Sequence, residues 1–228
     1  MKNIVSLLLL LLAVGTAAAQ PESTCYGTPE KGRIENAWQL PDSGPNYSAY
    51  SSLGTGIGRN YVHSRVYKTI LDAYDRLAKE LPDRVFVYGE TGWRGGGRFR
   101  PHKTHQNGLS VDFFVPVRDE KGKSVPLPTG LLNKFGYGIE FTAEGKYKNY
   151  TIDFETMAAH LLALKEAADR NGVKISRVIF DNELQKLLFK TSKGKELRSL
   201  LNFSTKRPWI RHDEHYHVDF SVPCKELR

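Results

Sequence analysis

Apolar residues recur every three or four positions in two long segments of the chain, which is the pattern of a helix with one buried face. The first segment covers residues 64–81 and is ended by Pro82. The second covers residues 154–171, where Asp153 can cap the start and Gly172 follows the end. Both segments are therefore predicted to be helices.

Four shorter runs have the apolar, β-branched and aromatic composition of strands. They are RVFVYGE at 84–90, LSVDFFVPV at 109–117, VKISRVIFD at 173–181 and HYHVDFSV at 215–222. A short helix is predicted at DNELQKLLFK, capped by Asp181 or Asn182. Helices beside strands that follow each other closely predict an α+β domain with a small, mostly antiparallel sheet.

Two further segments show no regular periodicity. Residues 20–60 are rich in Gly, Pro, Ser and Asn, and we expect them to form an ordered but irregular arm. Residues 118–150 are polar with turn signals, and we expect a surface excursion that contains a hairpin. Because no repeat or linker divides the chain, residues 20–228 are predicted to form one domain.

Residues 1–19 have the pattern of a secretory signal peptide. Lys2 supplies a positive start, residues 4–14 are almost wholly apolar, and three alanines ending at Ala19 form a small-residue cleavage site. The apolar stretch is too short to span a bilayer, which needs about 20 residues. We therefore expect cleavage after Ala19, export to the periplasm and no stable membrane anchor.

The chain carries a formal net charge of +8 at pH 7. A basic exported protein usually meets an anionic partner, such as a cell-wall polymer, a membrane surface or a nucleic acid. Solubility alone accounts for the charge equally well, because the lysines and arginines are scattered. We expect no nucleic-acid partner, and no oligomeric state is predicted.

The two cysteines, Cys25 and Cys224, lie near the two ends of the mature chain. In an exported protein an even pair of cysteines predicts a disulfide. Closing a loop this long would stabilise the fold by about 4–5 kcal/mol in the chain-entropy model. A metal-binding role is disfavoured, since neither cysteine has another one nearby.

Five of the seven histidines lie in two short windows, HKTHQNGLSVDFF at 102–114 and HDEHYHVDF at 212–220. Alternate residues of a strand point to the same face, so His215 and His217 project together. Asp112 interrupts an otherwise apolar strand. If the two strands pair, these three side chains converge on one patch.

His105 can join this patch from the preceding turn, because Gly108 lets the loop fold back. Burying Asp112 without a cation would cost several kcal/mol. Imidazole nitrogens and a carboxylate oxygen, with one position left for water, are the ligands of a catalytic zinc site. The spacing therefore predicts a metal site, whereas His63 is expected to be structural and His160 lies on a helix away from both windows.

With their flanks, the two windows resemble the signatures of a known family. GGRFRPHKTHQNGLSVDFF at 96–114 is similar to the metal-binding signature of the penicillin-insensitive murein endopeptidases, exported zinc peptidases of Gram-negative bacteria. RPWIRHDEHYHV at 207–218 is similar to their second signature. Weaker similarity covers residues 39–47, 59–66 and 177–188 in the same order.

The resemblance implies a fold, an ion and a set of site residues. The wider group, with lysostaphin-like, D-Ala-D-Ala and hedgehog-like proteins, has a small antiparallel sheet flanked by helices. One Zn²⁺ per chain would be bound by His105, Asp112 and His217. Three further histidines would line the site without necessarily binding metal: His102, His212 and His215. The chain departs from the family at Asp219, where the relatives carry a basic residue.

Within this interpretation His215 is the predicted general base, because it shares a strand face with His217 and no glutamate occupies a comparable place. His102 and His212 would orient the water or stabilise the oxyanion. For both, the alternative is a hydrogen-bond partner of a metal ligand.

The implied substrate is peptidoglycan, cut at the cross-link between D-alanine and diaminopimelate, with Arg207 and Trp209 in contact with it. Penicillin should not inhibit, since zinc chemistry offers no activated serine to acylate. Two alternatives stay open: a zinc D,D- or L,D-carboxypeptidase on wall peptides, and a non-catalytic cell-wall binding module. An HD-type phosphohydrolase, with His212 and Asp213 as its metal pair, is disfavoured because that pair belongs on helices.

Overall fold

The computed structural model describes residues 20–206 and 210–227. The predicted signal peptide lies outside this part of the chain, as do Arg207 and Trp209. No helix within the two ranges is long and apolar enough to cross a membrane.

Runs of consecutive strands are separated by a few helices along the part of the chain that is described, as expected for an α+β fold. The strands are β1 (Thr24–Thr28), β2 (Lys31–Glu35), β3 (Trp38–Gln39), β4 (Tyr47–Ala49), β5 (Tyr61–Val62), β6 (Phe86–Tyr88), β7 (Ser110–Phe114), β8 (Val117–Arg118), β9 (Ser124–Val125), β10 (Lys146–Tyr147), β11 (Tyr150–Ile152), β12 (Lys174–Ile179) and β13 (His215–Ser221). The helices are α1 (Ser52–Gly56), α2 (Ser64–Glu80), α3 (Phe154–Arg170), α4 (Asn182–Leu188) and α5 (Gly194–Leu200), with a 3₁₀ segment at Leu131–Gly136.

The central sheet has five strands in the order β12–β13–β7–β6–β4. β4 runs parallel to β6, and the other neighbours are antiparallel. In the pairing of β7 with β13, His217 lies opposite Asp112 and His215 lies opposite Phe114. The two strands therefore pair, which is the condition under which the two histidine windows were expected to converge.

The two faces of β7 and β13 have different surroundings. One face carries Phe113 and Tyr216, which contact His160 of α3 inside the apolar core. α3 in turn packs along α2, and both helices bury their apolar positions. The opposite face carries Asp112, His215 and His217. Packing of the first face against the core therefore fixes the strands that position these three residues.

The long helices begin where the sequence predicts. α2 follows His63, whose Nδ1 accepts a hydrogen bond from the amide of Arg65, so His63 is a helix cap. The Asp153 carboxylate caps α3 by accepting from the amide of Thr156. Asp181, one of the two predicted caps, holds the start of α4. Each cap satisfies an amide at a helix start that has no partner within the helix.

Residues 20–60 are more regular than the expected irregular arm. They contain β1 to β4 and α1, and α5 is a further helix that the sequence reading did not predict. These strands are too short to show a periodicity of their own. β1 and β2 pair with each other as a hairpin. β3 and β4 form because segments further along the chain pair with them: β3 pairs with β5, and β4 extends the central sheet beside β6.

The excursion between β8 and α3 contains the expected hairpin. β10 and β11 pair antiparallel, and with β8 and β9 they form a second sheet in the order β10–β11–β8–β9. The 3₁₀ segment at Leu131–Gly136 lies between these strands and reaches back toward the central sheet, where Phe135 contacts Tyr50.

A disulfide joins Cys25 in β1 to Cys224, with the two Cα atoms 4.9 Å apart, and confirms the predicted pairing. Beside it, the amide of Gly27 donates to the carbonyl of Lys225 over 2.9 Å. The carboxyl-terminal segment is thereby fixed to the first strand. Disulfides are typical of proteins outside the cytoplasm.

Candidate active site

Asp112, His105 and His217 meet on the open face of β7 and β13. Oδ1 of Asp112 lies 2.8 Å from Nδ1 of His217 and 3.3 Å from Nε2 of His105. All three side chains are buried. The structure thus brings the three predicted metal ligands together around one carboxylate oxygen.

His105 reaches the cluster from a sharp turn before β7. His105 has φ 67° and Gly108 has φ 76°, both in the left-handed region. A Cβ atom at Gly108 would lie only 2.8 Å from the backbone nitrogen of His63, so the close approach of the loop requires glycine. Nδ1–H of His105 donates to the carbonyl of Thr91 over 3.0 Å, which directs Nε2 at Asp112. Within the described ranges this buried Nε2 has no hydrogen-bond partner.

His217 is held from its outer side by a second carboxylate. Its Nε2–H donates to Oδ1 of Asp219 over 2.8 Å, so Nδ1 is the nitrogen that faces Asp112. Asp219 itself accepts from Oγ of Ser110 over 2.6 Å and from Nε of Arg177 over 2.8 Å. A carboxylate on the outer nitrogen fixes the tautomer of an imidazole and raises its basicity, as is usual for metal-binding histidines.

The cluster concentrates charge in a buried place. Burial alone would raise the pKa of Asp112, but the imidazoles of His105 and His215 hold it well below its usual value. Burial alone would lower the pKa of His217, but the carboxylates of Asp219 and Asp112 raise it to about 10. Burial lowers the pKa of His105. A buried carboxylate that stays ionised requires cationic neighbours.

These donors fit a divalent metal such as zinc. The partnerless nitrogen of His105 has a lone pair to offer, and imidazole with carboxylate is a common donor set for Zn²⁺. A second grouping overlaps the first: His102, His105 and Asp112 offer ligand atoms that all lie within 4.8 Å of one another. The two groupings differ in whether His102 or His217 completes the set.

His102 lies on one wall of the site, beside Glu90. Its Nε2 is 2.5 Å from Oε2 of Glu90, and its Nδ1 is 3.8 Å from Oδ2 of Asp112. Glu90 also accepts from Arg59 and from the hydroxyl of Tyr50, each over 2.9 Å. Burial alone would raise the pKa of Glu90, but His102 and Arg59 lower it to about 2. Glu90 is therefore a fixed anion that orients His102.

His215 and His212 form the opposite wall, with ring centroids 4.6 Å apart. Nδ1–H of His215 donates to Oε1 of Glu214 over 2.9 Å, and Nε2 lies 3.8 Å from Oδ2 of Asp112. Nδ1–H of His212 donates to the carbonyl of Ile210 over 2.7 Å. Burial lowers the pKa of His212 to about 4, so the ring is neutral at pH 7 and its Nε2 is an acceptor.

A cavity of about 550 Å³ opens beside the cluster. Its lining includes histidines and aromatic rings from both walls: His102, His212, His215, His217, Tyr50, Phe135 and Tyr137. A cavity of this size, with a few converging polar groups on apolar walls, is typical of a ligand site.

The sequence analysis missed several residues of the site, among them Glu90 and Tyr137. The hydroxyl of Tyr137 donates to Oδ2 of Asp112 over 3.0 Å. Glu90 could have been identified from the sequence, because it is an acidic residue at the end of an apolar strand. Asp112 is a similar case, since it lies within an apolar strand. No sequence pattern points to Tyr137, since it lies in a polar segment without periodicity.

The model of one protein family, penicillin-insensitive murein endopeptidase, matches residues 25–227. The chain belongs to this family. The match includes both histidine windows and every strand of the central sheet. No individual curated protein matches the chain.

Membership in the murein endopeptidase family confirms the resemblance that the two windows carry, and it gives the coarse function, a peptidase acting on peptidoglycan. The site agrees with a peptidase that uses a metal, since His102, His105 and Asp112 could hold an ion. Arg207 and Trp209 lie outside the described residues, so their contact with substrate stays a prediction.

Proposed function

We propose that the chain is an exported, zinc-dependent endopeptidase that hydrolyses peptide cross-links of peptidoglycan in the periplasm, at the bond between D-alanine and diaminopimelate. The observation that carries the proposal is the arrangement around Oδ1 of Asp112, which faces a partnerless nitrogen of His105 and Nδ1 of His217. The disulfide between Cys25 and Cys224 supports export, as does the predicted signal peptide.

His105, Asp112 and His217 are the proposed zinc ligands. The outer hydrogen bonds of both imidazoles, to Thr91 and to Asp219, leave the inner nitrogens facing the carboxylate. When bound in such a site, zinc lowers the pKa of a bound water toward about 7 and polarises the amide carbonyl of the substrate.

His215 is the proposed general base. Burial alone would lower the pKa of His215, but Glu214 and Asp112 raise it above its usual value. In the neutral imidazole Glu214 keeps the proton on Nδ1, so the lone pair of Nε2 faces the cluster. From this position Nε2 accepts a proton from the attacking water and delivers it to the amine of the cleaved bond. Such a positioned base typically contributes about 10²–10⁴ in rate.

His212 and His102 are proposed to complete the machinery from the two walls. His212 is neutral and offers Nε2 as an acceptor, which orients the attacking water. His102 is fixed by Glu90 and stabilises the oxyanion that forms at the carbonyl. Arg207 and Trp209 are proposed to contact the peptide. None of these steps uses an activated serine, so a β-lactam has nothing to acylate.

The products of peptidoglycan digestion test this proposal. Purified cross-linked peptidoglycan is incubated with the zinc-loaded protein, and the soluble fragments are identified by mass spectrometry. An endopeptidase converts cross-linked dimers to monomers, whereas a carboxypeptidase releases single amino acids from peptide ends. A non-catalytic binding module would sediment with the polymer and release nothing. Asp112→Ala, which removes the central carboxylate, serves as the inactive control.

A further inference from the structure

Tyr137 connects the excursion to the centre of the site. Its hydroxyl oxygen accepts from the amide of Glu90 over 2.9 Å, and its proton is therefore directed at Oδ2 of Asp112, 3.0 Å away. The ring stands edge-on between the two walls, with centroids 5.8 Å from His102 and 5.0 Å from His215. One side chain thus contacts the central carboxylate and both flanking imidazoles.

The backbone that delivers Tyr137 is held in an uncommon conformation. Lys134 and Phe135 have φ 54° and 57°, a left-handed region that is unfavourable for residues with side chains. Oδ1 of Asn133 accepts from the amide of Gly136 over 2.9 Å and so closes the turn. Backbone strain of this kind persists only where the surrounding structure imposes it, and it clusters at functional sites.

The two oxygens of Asp112 have separate neighbours. Oδ1 faces His105 and His217. Oδ2 accepts the Tyr137 hydroxyl, while the nearest imidazole nitrogens on that side, from His102 and His215, are 3.8 Å away. Removal of the hydroxyl would leave Oδ2 without this hydrogen bond and the carboxylate free to turn.

We propose that Tyr137 is a positioning residue, which fixes the Asp112 carboxylate so that Oδ1 faces the two proposed ligand histidines and Oδ2 does not. This inference rests on the proposed zinc site. Gly89 supports it, because a Cβ atom there would lie 2.7 Å from the Tyr137 hydroxyl and displace it. The strained turn is the means by which the excursion places that hydroxyl.

The test compares Tyr137→Phe with wild type and with a matched control, Tyr88→Phe. Tyr88 is a buried tyrosine of the same sheet whose hydroxyl donates to the carbonyl of Pro41 over 2.9 Å, away from the cluster. Each variant loses one hydroxyl and keeps its ring. Zinc affinity is measured by competition with a chelator, and the visible spectrum is recorded for the cobalt-substituted proteins. Melting temperature and near-ultraviolet circular dichroism report on folding.

Tyr137→Phe should bind zinc about tenfold or more weakly and show an altered cobalt spectrum, while Tyr88→Phe matches wild type in both. Equal zinc affinity and an unchanged spectrum in Tyr137→Phe would overturn the inference alone. A wild-type protein that binds no zinc would overturn the proposed function together with it. Equal losses in both variants would show a general effect of buried hydroxyls and would also refute the assignment.

Discussion

Asp219 accepts a hydrogen bond from Nε2–H of His217 over 2.8 Å, and it does so from the same strand, two residues further along. Ser110 and Arg177 hold the carboxylate in turn, over 2.6 and 2.8 Å. Because Nε2 of His217 is turned to Asp219, Nδ1 is the nitrogen that faces Asp112.

Replacing Asp219 should weaken zinc binding, although all three proposed ligands remain in the variant. Asp219→Ala removes the acceptor, and we expect about 10–100-fold lower zinc affinity, as for other carboxylates that hold a metal-binding imidazole. Asp219→Asn keeps an acceptor but loses the charge, so its loss should be smaller. Chelator competition measures both. The control is Asp153→Asn, a buried and arginine-paired carboxylate at the start of α3; an equal loss there would contradict the assignment.

The two overlapping metal groupings make different predictions for single alanine variants. If His105, Asp112 and His217 are the ligands, His217→Ala should lose zinc while His102→Ala keeps it. The reason is that His102 is anchored by its Nε2 to Glu90 and has its Nδ1 3.8 Å from Asp112. Metal analysis of the two purified variants decides between them. Zinc retained by His217→Ala and lost by His102→Ala would transfer the ligand role to His102.

Removing His215 should separate chemistry from metal binding. His215→Ala is expected to keep its zinc and lose on the order of a hundredfold or more in cross-link hydrolysis, mainly in kcat, because a base acts on the water and not on substrate binding. A zinc assay and a digestion assay on one preparation measure this. Near-normal turnover would move the base to His212 or His102, whereas loss of zinc would make His215 a ligand.

The sequence is sufficient to predict the centre of this site because strand alternation is a local rule. It places His215 and His217 on one face, and the position of Asp112 within an apolar run identifies the facing strand. The same rule places Asp219 beside His217 on that face. Their hydrogen bond could not be predicted, because it depends on Ser110 and Arg177 from the neighbouring strands.

The excursion and the arm could not be predicted in the same way. Tyr137 reaches Asp112 only because an irregular turn folds back over the sheet, and no periodicity marks such a turn. β3 and β4 are strands because β5 and β6 pair with them, so their conformation is set by tertiary contacts rather than by their own residues.

His63 should make the fold sensitive to acid. Burial lowers the pKa of this helix cap from 6.5 to about 4. The unfolded chain therefore takes up the proton first as the pH falls, and stability is lost between pH 6.5 and 4. The depression corresponds to about 3 kcal/mol at most. His63→Asn keeps a capping side chain that does not titrate, so its loss of stability over this range should be smaller.

Urea unfolding of both proteins at pH 7 and pH 4, in the presence of EDTA, measures the difference without a contribution from bound metal. Replacement of the exposed residue Lys121 by Asn provides a control for a surface change of charge. Identical pH dependence in wild type and His63→Asn would show that the cap does not titrate in this range.

Metal-dependent hydrolysis of a cross-link by this cluster is tested most directly by one measurement. A purified muropeptide dimer joined through D-alanine and diaminopimelate is incubated with the protein as loaded with zinc, after chelation, and after zinc is restored, and the products are identified by mass spectrometry. We predict conversion to two monomers with the uptake of one water, loss of that conversion after chelation, and its return with zinc. An unchanged dimer with the zinc-loaded protein, or equal cleavage after chelation, would contradict the account.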